Sequence, residues 1–558
     1  MDDFFQNPPQ LGNQYDEDRV LKKYLQWKLP ADILTSIEPG LQRLGQRAVT
    51  DIYHLGQEAE AMPPQHIPYD PWGQRIDHIK VSPAWQALDR IAAEEELIAT
   101  GYKREQGIYS RLHQFARLYL FHPSSAIYSC PLAMTDGAAR AIELYADDYL
   151  KNHALRHLTA SDPAQFWTSG QWMTERTGGS DVSGTTTIAT MTDAGYMLNG
   201  VKWFTSATTS QMAMTLARTQ NAPAGSKGLS LFYVELRNAD GTLKGIKINR
   251  LKEKLGTHAL PTAELTLENT PALLVGSMGE GVKKISSLFN ITRLYNACCA
   301  VGYMRRGLAL ARDYAHKRVA FGKPLSRHSL HLETLAQMQV EFYGAFHLVF
   351  HAIELLGKEE LNQARDHERA LLRLLTPLAK LYTAKQSIAL TSETLEAFGG
   401  AGYVEDTGLP QLLRNAQVLS IWEGTTNVLS LDVLRAMARE GATEAFLHDV
   451  HQRLEKIQHH NLEAAKLHTV DALNQLKHYL KELVQTPSDL QAMGARHLAF
   501  SMTRIFTASL LLEYAQWEIE CQGGTEAILV AQRWCAKNMT EWIPLSELHQ
   551  SASQTLAL

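Results

Sequence analysis

Gly195-Tyr196-Met197-Leu198-Asn199-Gly200-Val201-Lys202-Trp203-Phe204 decides the fold reading. It reads as two short strands around an Asn-Gly turn. Residues 229–236 (Leu-Ser-Leu-Phe-Tyr-Val-Glu-Leu) are a further strand, Asp240-Gly241 marks the next turn, and residues 263–267 alternate as a strand does. Residues 168–280 therefore form a β domain. Outward from it the period changes. Residues 41–167 carry helical spacing, as in Ala84-Trp85-Gln86-Ala87-Leu88-Asp89-Arg90-Ile91, with a turn at Tyr69-Asp70-Pro71-Trp72-Gly73. Residues 1–40, broken by Pro8, Pro9, Pro30 and Pro39, read as an irregular arm.

Downstream, helical spacing runs over 281–440, interrupted at Gly322-Lys323-Pro324 and at 399–402. Residues 441–558 form a separate helical unit, with helices over 442–466, 468–485, 490–521 and 525–540 and Gly523-Gly524 between the last two. The order is α–β–α with a helical tail, an α+β class that is mostly α. No G-x-G-x-x-G follows a strand and no Walker sequence occurs, so a nucleotide cofactor must be held in some other way.

At 558 residues the chain exceeds one ordinary core. A net charge of −5 gives no global attraction to nucleic acid or anionic lipid. Cys130, Cys298, Cys299, Cys521 and Cys535 show no CxxC spacing and are odd in number, which points to reduced thiols. The acidic, proline-containing start matches neither a secretory signal nor an Arg-rich transit peptide. No apolar run reaches about 18 residues, so no membrane span is expected, and the expected location is cytoplasmic. No metal ligand set is assigned.

Five segments carry chemistry. Met173-Thr174-Glu175-Arg176-Thr177-Gly178-Gly179-Ser180-Asp181-Val182 combines glycines with hydroxyls, as pyrophosphate or a polar ring edge requires. Lys202-Trp203-Phe204-Thr205-Ser206 sets an indole beside a hydroxyl, suited to a planar heteroaromatic ring. In Arg318-Val319-Ala320-Phe321-Gly322-Lys323-Pro324-Leu325, Arg318 suits phosphate and Phe321 a ring. Glu396-Ala397-Phe398-Gly399-Gly400-Ala401-Gly402-Tyr403 permits close backbone approach to a diphosphate. Ile421-Trp422-Glu423-Gly424-Thr425-Thr426-Asn427 offers a carboxylate base. Singly, each segment also reads as ordinary structure: a loop, a core tryptophan, helix ends, a Glu at a helix start.

Together, in this order and spacing, they resemble the acyl-CoA dehydrogenase flavoprotein family over residues 80–440. Tyr69-Asp70-Pro71-Trp72-Gly73-Gln74-Arg75-Ile76-Asp77, the 173–182 segment, Arg250-Leu251-Lys252-Glu253-Lys254-Leu255-Gly256-Thr257 and Ile421-Trp422-Glu423-Gly424 resemble its AidB-type branch, which carries an extra C-terminal helical domain. The resemblance implies an N-terminal helical domain, a middle β-barrel-like domain, a C-terminal four-helix bundle and the additional helical domain, assembled as a homotetramer. It implies FAD held by Met173, Thr174, Gly179 and Ser180, with Trp203 and Thr205 at the other side of the flavin. Arg318, Phe321, Glu396, Gly399 and Gly400 would reach the FAD of a partner subunit. Thr425 and Asn427 would flank the adenine and phosphate end of FAD. Ser180, Asn290, Arg293 and Gly424 would touch an acyl-CoA. Glu423 would take the α-proton while flavin N5 takes the β-hydride, with electrons passing to an electron-transferring flavoprotein. Relatives that place the base on an earlier helix put it where this chain has Thr292, which cannot serve.

The chain departs from the common family pattern at Ser329 and Glu396, where many relatives carry glutamine, at Arg176-Thr177, and at Asn290, where an aspartate often stands. Three other functions share the resemblance: a DNA-binding alkylation-stress flavoprotein, an acyl-CoA oxidase, and a lipid-sequestering protein with little turnover. For the first, residues 441–558 hold 9 Lys+Arg against 13 Asp+Glu, a difference of −4, which is a poor footprint for a duplex.

Overall fold

The computed structural model describes residues 5–439, 441–522 and 524–558. The expected domain limit at 440, Gly523 of the expected Gly-Gly break, and the first four residues of the acidic start lie outside the described residues.

The expected irregular arm is helical in its second half. The Asp18 carboxylate caps α1 (Arg19–Lys28), accepting from Leu21 N at 2.9 Å. Pro30 precedes α2 (Ala31–Arg47), and Pro39 sits inside it. A mid-helix proline loses one backbone bond, but this helix still buries Ile37, Leu41 and Leu44 on one face. Next comes α3 (Asp51–Ala61), then an antiparallel hairpin, β1 (Gln65–Tyr69) and β2 (Arg75–Lys80). The expected turn at 69–73 lies between these strands, closed by the Asp70 carboxylate on the Trp72 and Gln74 N–H groups at 2.9 and 2.8 Å. The N-terminal helical region continues with α4 (Pro83–Glu94), α5 (Ala99–Lys103), α6 (Ser110–Phe121), α7 (Ser129–Tyr145), α8 (Asp148–Leu150) and α9 (Arg156–Leu158).

Seven strands follow: β3 (Ser169–Trp172), β4 (Ile188–Thr192), β5 (Gly195–Ser206), β6 (Met212–Thr219), β7 (Leu229–Glu235), β8 (Ile246–Leu251) and β9 (Thr262–Leu274). Strands β6, β4, β5, β9 and β7 are neighbours in that order, and β7 pairs back onto β6, closing a barrel. β3 joins β6 in parallel and β8 joins β9.

The Asn199-Gly200 turn is not there: β5 passes straight through it. The pair marks a bulge against β9, between Leu198 and Gly200. The Asn199 side chain bridges to Asn269, donating to its Oδ1 at 3.1 Å and accepting its N–H at 2.9 Å. A Cβ on Gly200 would lie 2.4 Å from Thr187 Oγ1, so the glycine serves close strand approach. The chain reverses earlier, at Asp193-Ala194, just before Gly195 at φ +101°.

The second helical region comprises α10 (Gly281–Lys317), a short hairpin of β10 (Val319–Ala320) and β11 (Lys323–Pro324), α11 (Ser329–Glu360), α12 (Asp366–Ala397), α13 (Leu409–Val418) and α14 (Thr426–Arg439). The tail holds α15 (Ala442–Glu455), α16 (Glu463–Gln485), α17 (Ser488–Gln522), α18 (Glu526–Cys535) and α19 (Glu547–Ala557). It packs closely on the rest of the chain, with one continuous apolar core running through the arm, the second helical region and the tail. Trp534 of α18 lies against Gly344 of α11, where an added Cβ would meet its ring at 2.2 Å. A buried ionic knot ties the front of the molecule together. Arg111 of α6 bonds Asp136 of α7 at 2.8 Å and Glu360 of α11 at 2.7 Å, and Tyr295 of α10 donates to Asp136 at 2.9 Å.

Candidate active site

The site assembles where α10 and α12 pass beneath the loop between α13 and α14. Thr292, Arg293 and Asn296 lie within two turns of α10. Glu423 stands in the loop at φ +57°, a left-handed conformation that a glutamate adopts only when its surroundings impose it. Three side chains impose it. The Asn296 amide, oriented to donate to Leu419 O at 3.1 Å and accept from Trp422 Nε1 at 2.6 Å, fixes the entry. Arg293 Nε donates to the Glu423 carbonyl at 3.4 Å. Lys380 Nζ, fully buried on α12, donates to the Gly424 carbonyl at 2.6 Å. Gly424 has φ +103°, and a Cβ there would lie 3.0 Å from Leu429, so this position also demands glycine.

Glu423 as a residue is half-buried. Thr292 Oγ1 donates to Oε2 at 2.7 Å, and Gln171 Nε2 of β3 stands 3.5 Å from Oε1. Burial pushes its pKa above the ordinary carboxylate range and outweighs the opposing pull of Thr292, Arg293 and Lys380. The same burial draws Lys380 down to about 7, with Glu423 acting against it. Arg293 pairs with Asp432 of α14 at 2.8 Å, and Arg373 of α12 holds that aspartate at 2.8 Å. The clamp thus connects α10, α12 and α14 around one loop.

The glycine-hydroxyl segment forms a second wall. Glu175 is buried and pairs with fully buried Lys202 of β5 at 2.8 Å. It also accepts from the N–H and hydroxyl of Thr186, both at 2.7 Å, and from the Thr187 N–H at 3.2 Å. Burial opposes its ionisation, but Lys202 and these donors win and bring its pKa down to about 2. This anchor leaves Thr174 half-buried and Gly179 and Ser180 exposed. Trp203 N donates to Thr174 O at 2.9 Å, so the indole and the Thr174 loop stand side by side. A Cβ on Gly179 would lie 2.4 Å from Thr174 Oγ1. The half-buried Trp203 ring lies under the Lys252 ammonium, 4.0 Å from its centroid.

The remaining expected residues fall into groups. Met173 is a buried core residue. Thr205 is fully buried and donates to Ala263 O at 2.8 Å, so its side chain holds β5 to β9 and does not reach the open wall expected of a flavin contact. Asn290 is half-buried on α10. Arg318 donates to Gln6 Oε1 at 3.2 Å. Phe321, at φ +49°, is 96% exposed on the β10–β11 hairpin, and Glu396, Gly399 and Gly400 are exposed at the end of α12. Thr425 and Asn427 are exposed at the start of α14, where Asn427 Oδ1 accepts from Arg496 of the tail at 3.4 Å. Lys380, Asn296, Gln171 and Asp432 were not anticipated. The one available sign was Lys380 itself, a cation inside the apolar run Leu378-Ala379-Lys380-Leu381.

Family patterns match along the chain in the order of these regions: "Adaptive response protein AidB N-terminal domain" over 6–162, "Acyl-CoA dehydrogenase, middle domain" over 170–270, "Acyl-CoA dehydrogenase, C-terminal domain" over 279–438, and "Acyl-CoA dehydrogenase 11 C-terminal domain-like" over 441–556. The chain is 44% identical to acyl-CoA dehydrogenase family member 11 of Caenorhabditis elegans, covering 96% of this chain and 89% of that protein. It is 32% identical to the putative acyl-CoA dehydrogenase AidB of Escherichia coli, covering 73% of this chain and 76% of the relative. The crystal structure of C. elegans ACDH-11 in complex with C11-CoA superposes with a TM-score of 0.95 at 42% identity, over 100% of this chain and 97% of that one. The chain therefore belongs to the acyl-CoA dehydrogenase family, in its AidB-type branch with an extra C-terminal domain. The cofactor of this enzyme class is FAD. The open Thr174–Ser180 loop beside Trp203, with a glycine that admits no Cβ, fits such a group.

Proposed function

We propose that this chain is an FAD-dependent dehydrogenase of acyl-CoA thioesters in which Glu423 removes the α-proton. The observation that carries the proposal is a single one: a carboxylate of raised pKa, held on a left-handed loop by donors from α10 and α12, at the wall shared with the barrel. An α-hydrogen beside a thioester is weakly acidic, so the base must be close, oriented and basic. Thr292 orients the carboxylate, and burial raises its basicity toward that of the proton it takes. Among the described residues the Glu423 N–H has no acceptor, which leaves a donor beside the base for the thioester oxygen. FAD supplies the two-electron acceptor that the dehydrogenation requires. Thr174, Gly179 and Ser180, with Trp203 opposite, would hold it in this chain.

Acyl-CoA as the substrate class is supported by the C11-CoA bound in the C. elegans neighbour. Ser180, Asn290, Arg293 and Gly424 would meet it, although Arg293 already serves Asp432 and the Glu423 carbonyl. A homotetramer, with Phe321 inserted toward a partner's cofactor, is supported by the near-complete exposure of that ring. In the same reading the enzyme is cytoplasmic and passes electrons to an electron-transferring flavoprotein. Among the described residues no helix is long and apolar enough to cross a membrane. Anaerobic titration of the FAD-loaded protein with straight-chain acyl-CoAs of graded length tests the proposal. Full bleaching of flavin absorbance by at least one chain length is expected. A flavin that stays oxidised with every acyl-CoA, although each binds, would overturn it.

A further inference from the structure

A second cavity lies further along α10, toward its C-terminal end and away from the loop of Glu423. It has a volume of about 350 Å³ and is walled by Pro9 and Leu11 of the arm, Tyr53 of α3, Tyr303 and Arg306 of α10, and Leu412 of α13. Arg306 follows Thr292 on the same helix by fourteen residues, roughly 20 Å at 1.5 Å per residue. The cavity is therefore remote from the base.

Two consecutive arginines stand here in opposite circumstances. Arg305 pairs with Asp18 at 2.7 Å and bonds Gln14. Arg306 is only 3% exposed, yet among the described residues it forms no ion pair. Its one side-chain hydrogen bond runs from Nη2 to Ser124 Oγ at 2.6 Å, and its buried Nε finds no acceptor. His122, packed on Tyr303 at 4.3 Å, also buries an Nε2 without a partner. Its pKa falls to about 3 through burial and the nearby guanidinium, so it brings no second positive charge. A buried guanidinium without a counter-charge is costly, and proteins ordinarily supply a carboxylate. Here the fold supplies a cavity instead.

We propose that this cavity is a second small-molecule site, which takes an organic monocarboxylate with an apolar body, the carboxylate on Arg306 and the body against Pro9, Leu11 and Leu412. A planar carboxylate matches the guanidinium fork. The size, at the small end of ligand pockets, suits a short chain.

The test uses the full FAD-loaded chain with octanoate as probe and octanol as its uncharged match. Binding is followed by calorimetry and, in parallel, by flavin absorbance. The proposal expects saturable binding of one octanoate per chain, none of octanol, and an unchanged flavin spectrum. It expects at least tenfold weaker binding in Arg306→Gln, partial retention in Arg306→Lys, and unaltered flavin bleaching by acyl-CoA in both. The octanoate-octanol contrast in the unaltered chain needs no variant to fold. Absence of octanoate binding, equal binding of octanol, or unchanged affinity in Arg306→Gln would each overturn the proposal. So would a flavin spectral change that saturates together with the heat, since it would place octanoate in the acyl-CoA cleft. Because the readout is binding and not turnover, failure of the dehydrogenase reading would leave these outcomes distinct.

Discussion

Lys380→Met isolates the clamp on the catalytic loop from the base itself. The substitution keeps an apolar stem of similar length in a fully buried position and removes the donor 2.6 Å from the Gly424 carbonyl. Leaving that carbonyl unsatisfied costs about 1–3 kcal/mol. The left-handed conformation of Glu423 stores on the order of 1–3 kcal/mol, which the remaining Arg293 and Asn296 contacts must then hold without help. If about 1.4–2.8 kcal/mol of that reaches the transition state as misplacement of the base, proton abstraction slows by roughly 10–100-fold. A charge effect accompanies it. Lys380 lowers the pKa of Glu423, so its removal lets burial raise that pKa further. The base must be ionised, so the acid limb of the rate profile moves to higher pH. The assay is stopped-flow flavin reduction by an acyl-CoA across pH, with the acyl-CoA dissociation constant measured separately. A large fall in the reduction rate with little change in binding is expected. An unchanged rate with an unchanged acid limb would refute the reasoning.

Three further outcomes follow from the same contacts. Lys202→Met leaves Glu175 buried without its cation and should destabilise the fold by about 3–5 kcal/mol while loosening FAD; thermal melting and flavin retention on dialysis check this. The Glu175 pKa is depressed to about 2, so its contribution to stability is complete above the ordinary glutamate range and disappears as pH falls from there toward about 2; acid denaturation of the unaltered chain should show that loss, and Lys202→Met should flatten it. Gly344→Val drives a methyl into Trp534 and should cost about 1–3 kcal/mol, with faster limited proteolysis in α17 and α18 than in the barrel.

The sequence carried the α–β–α order and the tail because long helices and alternating strands print their periods. It misplaced the hairpin because Asn-Gly is the usual signature of a two-residue turn, whereas here the turn falls at Asp193-Ala194 and Gly200 lies within β5, where Thr187 beside the adjoining β4 leaves no room for a Cβ. Pro39 suggested an irregular arm, since local propensity does not register the buried face of α2. At the site, Glu423 and the 173–182 loop carried recognisable residue patterns. Thr205 carried the same kind of pattern, but its hydroxyl is turned to Ala263. Lys380, Asn296 and Asp432 act through loop carbonyls and neighbouring side chains that only the packing of α10, α12 and α14 brings within reach.

The assignment of Glu423 as the base is tested most directly by anaerobic flavin reduction in Glu423→Gln. Glutamine keeps the shape and can still accept from Thr292 but cannot take a proton. The variant should bind FAD and acyl-CoA, reduce its flavin slower by about 10²–10⁴-fold or more, and show no acid limb. Because the folded state holds the Glu423 proton more tightly than the unfolded chain does, ionisation at neutral pH costs stability, so Glu423→Gln should melt higher there. Flavin bleaching by the variant at the rate of the unaltered enzyme, with the same pH dependence, would contradict the account.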